Sequence, residues 1–259
     1  MLIAAAVCPQ PPVLIPAAMG AAGAGPELAD LRAACAAAVR GLVRARPDLI
    51  AIVGSAPAGR TYPWPSAGSL HRYGVPWSTG PGHPVLPLSL TAGTWLLTEA
   101  LERAAGSAGE AGGAGGGLAV TLCAVADTAE PAACRRLGVT LAGLAPRVGL
   151  LVMGDASARK AIGVPGAPDP EAEEYDAGIA AALAAADAGA LARLDPDRAA
   201  ELRVTGRAPW QVLAGAAAGA AGQKDGLRGL LRHQTAPYDV SYLVASWASG
   251  EAAAAALAS

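Results

Sequence analysis

Asp155 and Ser157 flank Ala156 at the close of an apolar run, within Gly154-Asp155-Ala156-Ser157-Ala158. A carboxylate so placed can serve as a general base, and the hydroxyl beside it as a hydrogen-bond donor. Cys8 closes another apolar run and would be a nucleophile in its ionised form. Arg207 carries a planar fork of donors suited to a carboxylate or a phosphate. Each of these side chains also has a purely structural reading. An Asp or Ser after a strand commonly caps a turn or helix, an arginine pairs with a surface acid, and a buried cysteine behaves as a small hydrophobe. His71, His83 and His233 are the three imidazoles of the chain. They show no H-x-x-x-H or H-x-E spacing, so they do not read as a metal site.

Hydropathy outlines the elements that must position these groups. Leu2 to Val7 is continuously apolar and ends at Cys8-Pro9-Gln10-Pro11-Pro12, the pattern of a strand buried on both faces that runs into a rigid loop. Pro26 opens a helix with an apolar stripe through Leu28, Leu31, Cys35, Val39 and Leu42, which Pro47-Asp48 ends. Leu49 to Val53 predicts a second buried strand, breaking at Gly54-Ser55-Ala56-Pro57. Strand, helix, strand is a βαβ unit, normally parallel and right-handed.

Residues 57–87 are rich in proline and glycine and include Tyr62, Trp64, Tyr73 and Trp77. They read as a long loop ordered by its aromatics, which either pack on the domain edge or serve binding. A helix is expected over Thr91 to Ala104, a strand over Leu118 to Val125, a helix over Pro131 to Leu144 and a fourth strand over Val148 to Met153. The Gly-rich stretch 106–117 precedes a strand and lacks the phosphate-loop patterns, so it reads as a spacer. Asp169-Pro170 caps and opens a helix to about Ala186, Asp195-Pro196 opens a short one, and Pro209 opens a third through Ala221. Alternation at Tyr238, Val240, Tyr242 and Val244 predicts a closing strand. The chain therefore reads as a single α/β domain over 1–250, a mostly parallel central sheet flanked by helices, followed by an Ala-rich tail at 251–259.

Composition narrows the partners. With 259 residues and 53 % hydrophobic content the chain has ample material for a buried core. Net charge is −2, with 19 basic and 21 acidic side chains spread along the sequence, so no basic stripe exists to hold a nucleic-acid backbone. Cys8, Cys35, Cys123 and Cys134 show no C-x-x-C spacing, which suits reduced thiols and a cytoplasmic location. The apolar start lacks a basic region, its first positive charge being Arg32, and early prolines cut it short, so it reads as a strand rather than a signal peptide. No stretch approaches the ~20 uninterrupted apolar residues of a membrane span. Neither nucleic acid nor membrane is an expected partner.

The three polar strand ends, the long loop after the second, and the late helix start at Thr205-Gly206-Arg207-Ala208-Pro209 resemble, over nearly the whole chain, the class III extradiol ring-cleavage dioxygenase family and its Memo-like relatives. Family members read His-x-Pro or Pro-His-Pro-Pro after the first strand, where this chain has Gln10 between prolines. After the second strand the family commonly reads Ser-Pro-His and this chain reads Ser55-Ala56-Pro57. The family's Ser-His dipeptide after the fourth strand, source of its catalytic acid/base histidine, corresponds to Ser157-Ala158. The third metal ligand, Glu in dioxygenases and Cys in Memo-like proteins, falls at Thr205.

The resemblance implies the α/β fold and, for the family, Fe(II) chemistry on catechols. It also places Gln10, Ser55, Pro57, Thr205 and Arg207 around one cleft. Fe(II) ring cleavage needs two imidazoles and a carboxylate on one face of the iron, a set these positions do not offer. The expected protein is a dioxygenase-like chain without a metal cofactor that binds a small molecule or a protein in the inherited cleft. Relatives sometimes work with a small second subunit or as homodimers, so the resemblance allows a homodimer, while the residues themselves leave the oligomeric state open. Two alternatives stand beside it. One is an active ring-opening dioxygenase with other ligands, recruited from His71, His83 and His233. The other is a metal-free hydrolase or transferase using Asp155, Ser157 or Cys8.

Overall fold

Mainly apolar strands cannot leave either face to water, and three strands of six to eight residues, buried along nearly their whole lengths, form the centre of the sheet. The computed structural model describes residues 1–15, 26–107, 118–158, 170–219, 226–250 and 252–258. In chain order it contains β1 (Leu2–Cys8), α1 (Pro26–Arg44), β2 (Leu49–Ala56), β3 (Arg60–Tyr62), β4 (Gly68–Ser69), β5 (Ser78–Thr79), α2 (Leu88–Ser107), β6 (Ala119–Ala126), α3 (Pro131–Ala142) and β7 (Val148–Met153). There follow α4 (Pro170–Ala185), α5 (Ala188–Ala192), α6 (Pro196–Glu201), α7 (Arg207–Ala218), β8 (Leu227–Thr235), β9 (Tyr242–Ser249) and α8 (Ala252–Leu257).

The strands form a seven-stranded sheet in the order β3-β6-β2-β7-β1-β9-β8, mostly parallel in its interior, and β4 pairs with β5 in a separate hairpin. β6, β2, β7 and β1 run parallel, while β3 joins one edge and β9 and β8 the other in antiparallel fashion. The register aligns Cys8 with Met153 and Gly54 with Met153, so β1, β2 and β7 end at one level. Side-chain alternation divides the core in two. Leu31, Leu42, Ile52 and Leu97 pack on the α1, α2 and α8 side. Val53, Leu150, Leu183, Trp210 and Trp247 pack on the side of α3 to α7. The fully buried Trp247 indole donates to the Leu183 carbonyl at 2.7 Å, so its polar atom is satisfied inside the core. This is a single α/β domain with helices on both faces of the sheet.

The helices after β1 and β2 lie on one face and those after β6 and β7 on the other. Because the order β6-β2-β7-β1 interleaves the two kinds, the chain leaves neighbouring strand ends toward opposite sides. Open α/β sheets bind ligands in the crevice this creates outside the carboxyl ends.

Several elements differ from the sequence reading. The 57–87 segment is a partly structured cover: β3 pairs with β6, and Leu70 and Val75 of the β4–β5 region form a third small core with Ile15, joined by Tyr73 and Trp77. β8 escapes a hydropathy reading because it is an edge strand, half exposed, carrying Arg228, Arg232, His233 and Gln234, with a register shift between Leu231 and His233. The closing strand begins at Tyr242, four residues later than the alternation suggests, since Pro237–Asp239 is a 3-10 turn. α5 is an additional short helix; the Asp187 carboxylate caps it by accepting the Ala190 N–H at 2.8 Å. Residues 252–257 of the expected tail are the docked helix α8, packed on α1 and β9. Residues 108–117 of the spacer, the Asp169 cap, residues 220–221 and residues 251 and 259 lie outside the described residues. No described helix is long and apolar enough to cross a membrane. All four cysteines are free and buried.

Candidate functional site

Gln10 lies just beyond the carboxyl end of β1, in a stretch that the prolines around it hold extended. Pro11, at φ −71° and ψ 145°, continues the extended path that a proline imposes on its neighbour. The Gln10 N–H donates to Asp155 Oδ1 at 2.9 Å, joining the end of β1 to the end of β7. Its side-chain Nε2 donates to Ser55 Oγ at 3.5 Å and to Thr205 Oγ1 at 3.4 Å. Both contacts are at the weak limit for a hydrogen bond. The Asp155 N–H in turn donates to Thr205 Oγ1 at 3.0 Å, and the Gly206 N–H to the Asp155 carbonyl at 2.9 Å. A Cβ on Gly154 would collide with the Gly206 backbone, so a bare backbone at 154 lets β7 and the start of α7 approach this closely.

Two carboxyl groups of this cluster hold their protons more tightly than usual. Asp155, only partly exposed, is pushed up to about 7 by burial, against the opposing pull of the Gln10 N–H. Asp127, the first residue after β6, is also raised by burial, opposed by the Ser55 hydroxyl and by the Arg207 charge. In the same cluster the Gln10 Oε1 is buried and has no hydrogen-bond partner among the described residues. A buried acceptor without a partner normally has a reason to be so. This arrangement can receive an N–H or O–H from a bound molecule and can exchange a proton near neutral pH.

Gln10, Ser55, Asp155 and Thr205, singled out in the sequence, are therefore brought together. The others are placed differently. Ser157 donates its hydroxyl to Asp176 Oδ2 at 2.6 Å and its N–H to Asp176 Oδ1 at 3.0 Å, locking the exit of β7 onto α4. Arg207 is 2 % exposed. It donates to the Asp127 and Ala129 carbonyls and to Gln211 Oε1, so its fork ties α7 to the β6–α3 turn instead of facing an outside anion. Cys8 is fully buried in the α1-side core beside Cys35, whose thiol is pushed up by burial and then by Cys8. The alternation of β1 turns Cys8 into this layer, so it is no accessible nucleophile. Pro57 is exposed on the turn after β2, and Ser55 is the residue of that strand end that meets Gln10.

Asp127 and Asp176 are not among the residues the sequence singles out. Asp127 directly follows a strand, the same signal that marks Asp155. Asp176, on α4, meets Ser157 only through the tertiary fold.

The Fe(II) implied by the family resemblance does not fit these residues. The matched positions supply an amide, hydroxyls and an exposed proline, with Asp155 as a nearby carboxylate and no imidazole. His71 and His83 are exposed in the 57–87 cover, and His233 lies on the edge strand β8. Among the described residues no three His, Cys, Asp or Glu side chains come together to hold a metal ion.

The sequence matches no known family model and no curated protein. Among solved structures, the chain is similar to the crystal structure of the uncharacterized protein JW3007 from Escherichia coli K12, with a TM-score of 0.50 and 12 % identity. The match covers 94 % of this chain and 99 % of that one. At that identity the likeness concerns the fold, which the two chains share over nearly their whole lengths.

Proposed function

We propose that this chain is a class III extradiol dioxygenase-like protein that does not open rings with Fe(II) and instead binds a small polar molecule in the crevice at the strand ends. One observation supports the reading above the others: Gln10 and Thr205, which stand where the resemblance puts two of the metal ligands, meet within hydrogen-bond distance, and Ser55 joins them from the end of β2, while Pro57, at the position of the second histidine, lies on an exposed turn. Two of the three matched positions thus meet, and the chemistry they offer with Ser55 is that of neutral donors and acceptors. A ligand that donates an N–H or O–H to Gln10 Oε1 would satisfy the acceptor left open there.

The test is metal content after anaerobic incubation of tag-free protein with Fe(II) and, separately, Zn(II), measured by plasma mass spectrometry following dialysis. Metal below about a tenth of an equivalent is expected. Near-stoichiometric iron together with opening of a catechol ring overturns the proposal. A small-molecule library read by thermal shift should then yield binders that raise Tm in the parent and not in Gln10→Ala, since a ligand of the native state stabilises it.

A second reading is a metal-free hydrolase or transferase. The observation favouring it is the Asp155 carboxyl near neutrality, where a general base works best. Hydrolysis of p-nitrophenyl esters should then rise through about pH 7 and vanish in Asp155→Asn. A rate that survives that substitution sinks this reading.

A further inference from the structure

Within the helix layer that covers one face of the sheet, α1 and α2 part to leave a cavity of about 140 Å³. Arg32, Ala36 and Arg40 recur at four-residue intervals on α1, as do Trp95, Glu99 and Arg103 on α2, so each set forms a stripe along one helix face. The gap opens because Ala36 and Ala100 are too small to fill the space between the stripes. Leu14, Cys35 and Leu96, all nearly or fully buried, close the bottom, and Trp95 offers an aromatic wall.

The edge of this apolar space is cationic, since three arginines and only one glutamate line it. Glu99 pairs with Arg103 at 3.2 Å in an exposed bridge, the kind that contributes little and rearranges readily. Arg32 Nε donates to the Leu14 carbonyl at 3.0 Å, which fixes that side chain beside the opening. Among the described residues Arg40 has no carboxylate partner. An apolar cavity with a few converging polar groups is the usual form of a small-molecule site. A cavity of about 150 Å³ in an engineered core holds one benzene, so this one is the size of a single ring.

We propose that the α1–α2 cavity binds a small aromatic carboxylate, with the ring among Leu14, Trp95, Leu96 and Ala100 and the carboxylate facing Arg40 and Arg103. The ring gains from leaving water, and the anion meets donors whose planar fork matches it. This site shares no residue with the polar cluster at the strand ends and does not depend on the function proposed there.

Benzoate is the probe, titrated into the full chain by calorimetry and by tryptophan fluorescence. One saturable site is expected, with benzyl alcohol, the same ring without the charge, at least about tenfold weaker. The Arg40→Gln/Arg103→Gln double variant should lose at least about tenfold in affinity. Ala100→Leu fills the cavity and keeps every charge, so it should abolish binding. Ala36→Val, a smaller intrusion, should weaken binding in a chain whose circular dichroism is unchanged, which keeps the test meaningful if Ala100→Leu fails to fold. Trp95→Phe should retain the calorimetric signal and lose the fluorescence change. Absence of saturable heat up to about 10 mM, equal affinity for benzyl alcohol, or undiminished affinity in both the Ala36 and Ala100 variants would each overturn the proposal.

Discussion

Asp155 binds a proton in the folded chain up to about pH 7, whereas its ordinary value is 3.8. Between those two values the native state holds a proton that the unfolded chain has released, so stability falls as pH rises across that window. The contribution is fully present below about pH 3.8 and is lost by the time pH passes through about 7. Asp155→Asn keeps an oxygen to accept the Gln10 N–H and removes the ionisation. Relative to the parent, its stability in urea unfolding should therefore improve from about pH 5 to about pH 8. A difference that does not change with pH would mean that Asp155 titrates as an ordinary carboxyl. Ser157 gives a second prediction at this scale. Ser157→Ala leaves one oxygen of the buried Asp176 carboxylate without its donor, and should destabilise the fold by about 1–3 kcal/mol. A loss below about 0.5 kcal/mol would show that water replaces the hydroxyl.

For single residues, position is more legible in the sequence than role. Gln10, Ser55 and Asp155 follow apolar runs, so their place at strand ends can be read from hydropathy, while Thr205 is marked by the family resemblance. The fates of Ser157, Arg207 and Cys8 depend on Asp176, on the β6–α3 turn and on Cys35, groups with no local spacing to announce them.

Among elements, α7 owes its position at the site to its packing on α3. Gly215 on α7 faces the Arg135 backbone, and Gly138 on α3 faces the Val212 carbonyl and the Ala216 nitrogen, so a Cβ at either glycine collides with backbone. Helix propensity alone favours alanine over glycine by about 1 kcal/mol. Here the close approach decides, and Gly215→Ala should lower the urea midpoint by forcing the helices apart and shifting the start of α7. Gly178→Ala on the exposed face of α4, where a Cβ meets nothing within 4 Å, should raise stability by about 0.5–1 kcal/mol. The same substitution thus has opposite signs on two helices. A stabilising Gly215→Ala would refute the close packing of α3 and α7.

Long elements with a strong period, such as α1 and the central strands, are readable because burial on a fixed face leaves a pattern in the chain. β8, α5 and α8 are not. The first is polar as an edge strand must be, and the other two are too short and too alanine-rich to show an apolar stripe.

For the whole molecule, a βαβ reading predicts parallel strands but not the order β6-β2-β7-β1, in which β7 inserts between β1 and β2 late in the chain. That insertion assembles the polar cluster, since it brings Asp155 beside Gln10 and sets β7 between the two strands that lead to the other helix layer. The far edge is completed by the last described residues. β9 pairs with β1, and α8 then crosses back to α1, with the Ala256 carbonyl against Gly41. Arg232 on β8 donates to Ser246 Oγ at 2.6 Å and to the Ala256 carbonyl at 2.9 Å, and Arg44 reaches the Ala258 carbonyl at 3.4 Å. Cations at a helix C-terminus satisfy carbonyls that have no partner within the helix. Deleting residues 251–259 would remove those acceptors from the partly buried Arg232 and expose the apolar surface of α1 and β9 beneath α8. The loss expected is about 2–4 kcal/mol in urea unfolding, from one charged hydrogen-bond set and the uncovered area together. Gly41→Ala should reproduce part of it in the full-length chain, because its Cβ displaces α8 without removing any residue. An unchanged urea midpoint in both variants would mean that α8 contributes nothing to the fold and that the sheet is complete at β9.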